Sequence, residues 1–263
     1  MDLTEAKQNN TIQARHPWEL ARFRVILLLI QNLLKLNTQN LKILDLGCGD
    51  LYICKKLLQI YPYLKIHAVD KNLSGKQIDW LKKSNTSDRL FAYQSIKDFE
   101  DINDRAGCDL ILLLDIVEHI DGDSIFLQKL SNCNFVNKNT FFLITVPSFS
   151  SLFSSHDKFL KHHRRYNNYE LKKLVANAGF KIYQSGYFFS SLLIPRIIQA
   201  LLEKIVGSKN KKHGIGHWKH GKITTNLFKN VLIYDFKLSL ILQKIGIKLP
   251  GLSNYVICKK SVL

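Results

Sequence analysis

Gly47 and Gly49 follow an apolar run that ends in Asp45 and Leu46, and a second apolar run ends 23 residues after Gly47, in Asp70. Glycine carries no Cβ, so its backbone can lie directly against a ligand. A carboxylate at the end of the next strand can accept two hydrogen bonds from a ribose diol. The spacing points to a ligand that contains a nucleoside. A dinucleotide turn wants a third glycine three residues beyond the second, and Tyr52 stands there.

Two other stretches offer acids and bases. In "DIVEHI", Asp115 is followed by Glu118 and His119, three and four residues on, so one helical turn would put them on one face. Two carboxylates and an imidazole can hold a hard divalent ion such as Mg²⁺. The other reading is metal-free: Asp115 borders the ligand, Glu118 caps or pairs, and His119 packs. We take the metal-free reading as the expectation. In "SSHDKFLKHHRRY", His156 adjoins Asp157, and His162, His163, Arg164, Arg165 and Tyr166 follow. Histidine is the natural base near neutral pH, and arginine binds carboxylate or phosphate bidentately. His156 and Asp157, with His119, are the catalytic candidates. His162, Arg164, Arg165 and Tyr166 are the substrate candidates. A surface turn that pairs with Glu170 and packs Tyr166 is the structural alternative.

These residues sit at the ends of alternating elements. Strands are expected at 42–46, 64–69, 90–95, 108–114, 141–146, 181–189 and 254–259, and helices at 55–60, 76–83, 123–130 and 169–178. "CDLILLL" is a continuous apolar run, as a strand buried on both faces requires. Pro147 closes the fifth strand, which places His156 and its neighbours on the carboxyl rim of the sheet. Alternation of this kind argues for a Rossmann-like, doubly wound, mostly parallel α/β sheet, its last strand antiparallel. "RHPWELARFR" reads as a helix start, with Pro17 in the first turn and Glu19 near the positive dipole end. The expected organisation is an N-terminal helical lid over 1–39, a core over 40–189, a helical basic insertion over 190–252 and a last core strand over 253–263.

The insertion carries a clean stripe. Ile194, Ile197, Ile198, Leu201, Leu202 and Ile205 fall on one helical face. A basic, His-containing loop with Lys209, Lys211, Lys212, Lys219 and Lys222 leads to a second amphipathic stretch over 227–244. Amphipathic basic helices suit an anionic membrane surface; packing on the sheet or on a second subunit is the competing explanation.

The chain has 263 residues and a formal net charge of +17. Residues 1–150 hold 18 Lys and Arg against 17 Asp and Glu, while residues 151–263 hold 20 against 4. A balanced front and a basic back suit a catalytic body with a surface aimed at something anionic. A solvated lysine face is the plainer reading. Asp2 and Glu5 stand where the basic region of a secretory leader would be. Five cysteines at irregular spacing form no zinc pattern and no even disulfide framework, so reduced thiols in a cytoplasmic protein are expected.

"LDLGCG", the later "VD", and "DLILLLDIVEHI" together resemble the class I S-adenosylmethionine-dependent methyltransferases, over roughly residues 40–189 and the last strand. The resemblance implies that Asp45, Gly47, Cys48 and Gly49 form the turn that receives the methionine part of S-adenosylmethionine. It puts Asp70, with Lys71, at the ribose, Ser95 and Ile96 near the adenine, and Asp115 beside the cofactor. The N-terminal helix, with His16, Trp18, Arg22 and Arg24, would cover the pocket. Two places depart from the family: Leu51 stands where a third glycine is usual, and Ser95 where an acid is usual. The Asp115, Glu118 and His119 set is similar to a metal set of some ubiquinone-pathway and small-RNA methyltransferases. The His156 to Tyr166 stretch is similar to a bacterial subgroup of lipid and glycan pathways. The expected reaction is O-methylation of a small or lipid-linked acceptor, in the cytoplasm and in peripheral contact with the membrane. Nucleic-acid methylation is the first rival, although no aromatic-interleaved RNA-reading motif is present. A non-catalytic scaffold with the same fold is the second.

Overall fold

The computed structural model describes residues 15–34, 41–83, 88–102, 107–206, 218 and 220–261. The basic-loop lysines Lys209, Lys211, Lys212 and Lys219 lie outside them. Seven strands form one sheet: β1 (Lys42–Leu46), β2 (Lys65–Val69), β3 (Leu90–Tyr93), β4 (Leu110–Leu114), β5 (Phe141–Pro147), β6 (Phe180–Phe188) and β7 (Ser253–Lys260). Their order is β3-β2-β1-β4-β5-β7-β6. The pairs from β3 to β5 are parallel, and β7 runs antiparallel between β5 and β6. The chain order reverses between β1 and β4, which is where an open sheet of this kind leaves a crevice.

Nine α-helices are described: α1 (Pro17–Leu34), α2 (Tyr52–Ile60), α3 (Gly75–Lys82), α4 (Ile96–Ile102), α5 (Asp123–Ser131), α6 (Ser155–Phe159), α7 (Asn168–Asn177), α8 (Leu193–Val206) and α9 (Lys222–Lys244). They cover the sheet on both faces, and strand side chains alternate between the two layers. In β4, Leu110, Leu112 and Leu114 join the layer that holds α1, α2 and α9. Ile111 and Leu113 join the layer of α4, α5 and α7. This double burial explains why "LILLL" is apolar without alternation.

The expected elements are present, with ends shifted by a few residues. The helices α4 and α6 were not expected. Both are short, and each opens on a side-chain cap: Ser95 with Asp98 for α4, Ser154 with Asp157 for α6. The "SIKD" and "SSHD" spacings are the signals that would have found them. The insertion does supply two helices, α8 and α9, between β6 and β7.

Candidate active site

The turn after β1 is built on left-handed backbone. Gly47 has φ +74° and Gly49 φ +57°. The Gly47 N–H donates to the Val69 carbonyl at 2.7 Å, and the Gly49 N–H donates to Asp70 Oδ2 at 3.0 Å. Asp70 Oδ1 accepts from the Asn72 N–H at 2.9 Å. A Cβ on Gly47 would lie 1.9 Å from Ile116 Cδ1, so only glycine fits there without displacing that side chain. Leu51, in the place of the third glycine, is also left-handed, at φ +64°. That conformation costs a non-glycine residue roughly 1–2 kcal/mol. The Leu51 side chain is buried in the core, and this burial offsets the cost.

Asp45 lies buried under the turn. Its Oδ2 accepts from Cys54 Sγ at 3.1 Å, and its Oδ1 has no partner. Burial pushes its carboxyl up to about 6, against the pull of the Cys54 thiol and the Arg22 charge. A buried carboxylate oxygen without a donor fits a ligand that brings an ammonium group, so the turn suits an amino-acid-bearing nucleoside. Cys48 is buried too, and its N–H donates to the Val69 carbonyl at 3.2 Å. Lys71 is exposed. Ser95 caps α4: its Oγ accepts from the Asp98 N–H at 3.1 Å, and its own N–H donates to Asp98 Oδ2 at 2.9 Å. Asp98 therefore brings a carboxylate next to the position where the family's acid is missing.

The start of α1 is fastened over this turn. Arg15 pairs with Glu19 at 3.2 Å and with Asp50, and its guanidinium lies 3.8 Å above the Tyr52 ring. Arg22 reaches Asp115 Oδ2 at 2.8 Å, and the Thr145 hydroxyl donates to Asp115 Oδ1 at 2.8 Å. Trp18 packs 6.3 Å from the Phe189 ring, and His16 sits 5.0 Å from the Trp218 ring. Arg24 points into solvent. Asp115 itself has φ +57°, an uncommon conformation for aspartate at the end of β4. Backbone strain of this kind gathers at functional sites.

The metal grouping differs from the expected one. Asp115 is engaged by Arg22 and Thr145, and the three side chains that come together are Glu118, His119 and His162, whose ligand atoms lie within 4.8 Å of one another. The two imidazoles pack edge to face at 4.6 Å. Glu118 is 0% exposed, and neither of its oxygens has a hydrogen-bond partner. Burial first, and the Asp115 charge second, push its carboxyl well above the ordinary value. Such a carboxyl satisfies itself by keeping a proton or by meeting a cation.

The rim after β5 is organised around Asp157, which is also 0% exposed. Its Oδ1 meets His162 Nδ1 at 2.9 Å and Arg165 Nε at 2.7 Å. Its Oδ2 accepts from the Ser154 N–H at 2.9 Å and lies 3.8 Å from Arg196. Burial opposes ionisation here, but the bonds from His162 and Arg165 outweigh it and hold the carboxyl well below the usual carboxylate range. Asp157 is thus a positioning residue rather than a group presented to substrate. The expected substrate contacts are likewise engaged within the protein. Arg164 pairs with Asp123 at 3.0 Å, the Tyr166 hydroxyl donates to Asp123 at 2.7 Å, and Arg165 donates to the Ser148 carbonyl at 3.1 Å. His156 stands on α6 with its ring 6.5 Å from that of Phe159. Burial lowers its pKa, which favours the neutral imidazole. Sequence reasoning missed Thr145, Ser154 and Asp123, because each acts on a partner that only the fold brings near.

A family description, methyltransferase domain, matches residues 18–185. The chain belongs to this methyltransferase family. No curated protein matches the methyltransferase. Among solved structures it is similar to the cyclase SpnF, at 14% identity and TM-score 0.55, over 97% of this chain and 86% of that one. Coclaurine N-methyltransferase, bound to N-methylheliamine and S-adenosylhomocysteine, matches at 14% identity and TM-score 0.54, over 90% and 70%. Phosphoethanolamine N-methyltransferase 2 of Haemonchus contortus matches at 14% identity and TM-score 0.53, over 91% and 53%. At such identities these likenesses establish the shared fold. Family and fold together make the chain a class I, S-adenosylmethionine-dependent methyltransferase.

Proposed function

We propose that this methyltransferase methylates an oxygen on a small or lipid-linked acceptor. One observation carries the reading: His156 stands on the rim beyond β5, on the short helix α6 whose N-terminus Ser154 and Asp157 cap. Bound at the glycine turn, S-adenosylmethionine supplies a methyl group made electrophilic by its sulfonium. Asp70 would accept the ribose hydroxyls, and Asp45 Oδ1 would take the ammonium group. His156 would remove the proton from the acceptor hydroxyl, which an oxygen nucleophile needs, whereas an amine that has given its ammonium proton to solvent attacks through its own lone pair. Asp157 gathers His162, Arg165 and Arg196, which fixes α6 and so the place of His156. The pairs Arg22–Asp115 and Arg15–Asp50 fasten α1 beside the turn. Alignment of acceptor and methyl supplies much of the gain.

The names of two relatives of the same fold favour a second reading, an amine acceptor. Radiolabelled methyl transfer into fractionated cell extract tests both. Label in the lipid or small-molecule fraction that is lost in His156→Ala supports an oxygen acceptor. Label there that survives His156→Ala supports an amine. Label in nucleic acid overturns both readings. No transfer despite intact cofactor binding leaves a scaffold.

A further inference from the structure

The helix α8 is inside out. Two of its polar residues turn inward: Arg196 bonds the Ser154 hydroxyl and approaches Asp157, and Glu203 accepts from the Ser155 hydroxyl at 3.4 Å. Its apolar stripe turns outward, with Ile194 68% exposed, Leu201 53%, Leu202 54% and Ile205 79%. A helix on the surface of a globular protein normally does the opposite. The helix α9 packs inward in the ordinary way but also carries an exposed apolar stripe. It buries Thr225, Leu232, Phe236 and Ser239, yet Ile223, Leu227, Tyr234, Leu238 and Ile241, with Ile245 just beyond its end, are all exposed. With about 100° per residue, Lys222, Lys237 and Lys244, all exposed, fall on one flank of that second stripe.

We infer that α8 and α9 dock the methyltransferase on an anionic lipid bilayer. The charge decides between occupants. Residues 151–263 carry a net +16, so a second copy of the chain would bring two strongly basic halves together, whereas anionic headgroups neutralise them. Apolar side chains entering the interface beside lysines at headgroup level is the mode of a helix lying in the membrane plane. Among the described residues no helix is long and apolar enough to cross a membrane. Docking also has a consequence for the site. Arg196 and Glu203 tie α8 to the Ser154–Phe159 turn that carries His156, so the bilayer would lie beside the reactive rim. Only this last point rests on the proposed reaction; the docking itself does not.

Flotation of the full chain with phosphatidylcholine vesicles, with and without phosphatidylglycerol, tests the inference. The expected result is flotation with the anionic vesicles, weakened by salt. Lys237→Gln with Lys244→Gln should weaken it about 30-fold, at roughly fivefold per lysine. Ile198→Glu with Leu202→Glu should abolish it while leaving the affinity for S-adenosylhomocysteine and the melting temperature unchanged, since both side chains are exposed. If that apolar variant fails to fold, the lysine variant carries the test. A chain that stays at the bottom with both vesicle types overturns the inference, as does flotation indifferent to both variant pairs. A stable dimer in sedimentation, dissociated by Ile198→Glu with Leu202→Glu, overturns it in favour of a second copy. Cofactor affinity is read separately, so failure to dock and failure of the reaction are told apart.

Discussion

Replacing Asp157 by asparagine removes one negative charge from a side chain that is 0% exposed. His162 and Arg165 lie within 2.9 Å of the carboxylate and Arg196 within 3.8 Å. Asparagine keeps the size and an acceptor for Ser154, so the helix cap survives in part. The guanidinium of Arg165, 7% exposed as a residue, loses its counter-charge. Breaking a buried pair by deleting one partner costs about 3–5 kcal/mol. For a chain of this size, each kcal/mol lowers the melting temperature by about 2–4 °C, so Asp157→Asn should melt about 6–20 °C below wild type. The pH dependence gives a second check. Because the folded carboxyl is held below its ordinary range, its contribution is complete above about pH 4. It is lost as the pH falls from there toward the folded value. The gap between wild type and Asp157→Asn should therefore be constant near neutrality and narrow in acid. Calorimetric melting from neutral to acid pH measures both. A fall of under about 2 °C, or a gap that persists unchanged in acid, would refute the picture of Asp157 as the hub of the rim.

Other outcomes follow from the same geometry. Asp70→Ala should weaken S-adenosylhomocysteine binding by about 2–4 kcal/mol through loss of charge-assisted bonds; titration calorimetry showing wild-type affinity would sink the ribose assignment. His156→Ala should cut turnover by a factor on the order of 10²–10⁴, with cofactor affinity kept, and a destabilised variant of normal specific activity would make His156 structural. The wild-type rate should rise with pH through an inflection below the ordinary imidazole value, because burial lowers the His156 pKa. Chelation should leave activity unchanged if Glu118 keeps a proton; activity that EDTA removes and Mg²⁺ restores would instead put a cation among Glu118, His119 and His162.

Local signals were legible in the sequence, and long-range pairings were not. Gly47, Gly49 and Asp70 are read from strand ends and spacing, and the structure brings them together because β1 and β2 are neighbours. The apolar run at 110–114 announces a strand covered on both faces. Nothing near Arg22 tells of Asp115, 93 residues away, and nothing near Tyr166 tells of Asp123. Asp157 next to His156 looked like a catalytic pair, yet the chain turns the acid inward to His162 and two arginines. Periodicity revealed the stripe of α8 but not which face would turn inward. That choice depends on Ser154, Ser155 and Asp157, which offer Arg196 and Glu203 better partners than water.

The place of β7 between β5 and β6 sets an order of events during synthesis. While β6 is emerging, the edge of β5 is open, and its eventual neighbour lies beyond residues 189–252. β6 pairs only with β7 among the described strands, so it has no sheet to join until that later segment is made. Pairing across such a distance is entropically slow. The apolar stripes of α8 and α9 therefore leave the ribosome before the sheet that anchors them has closed.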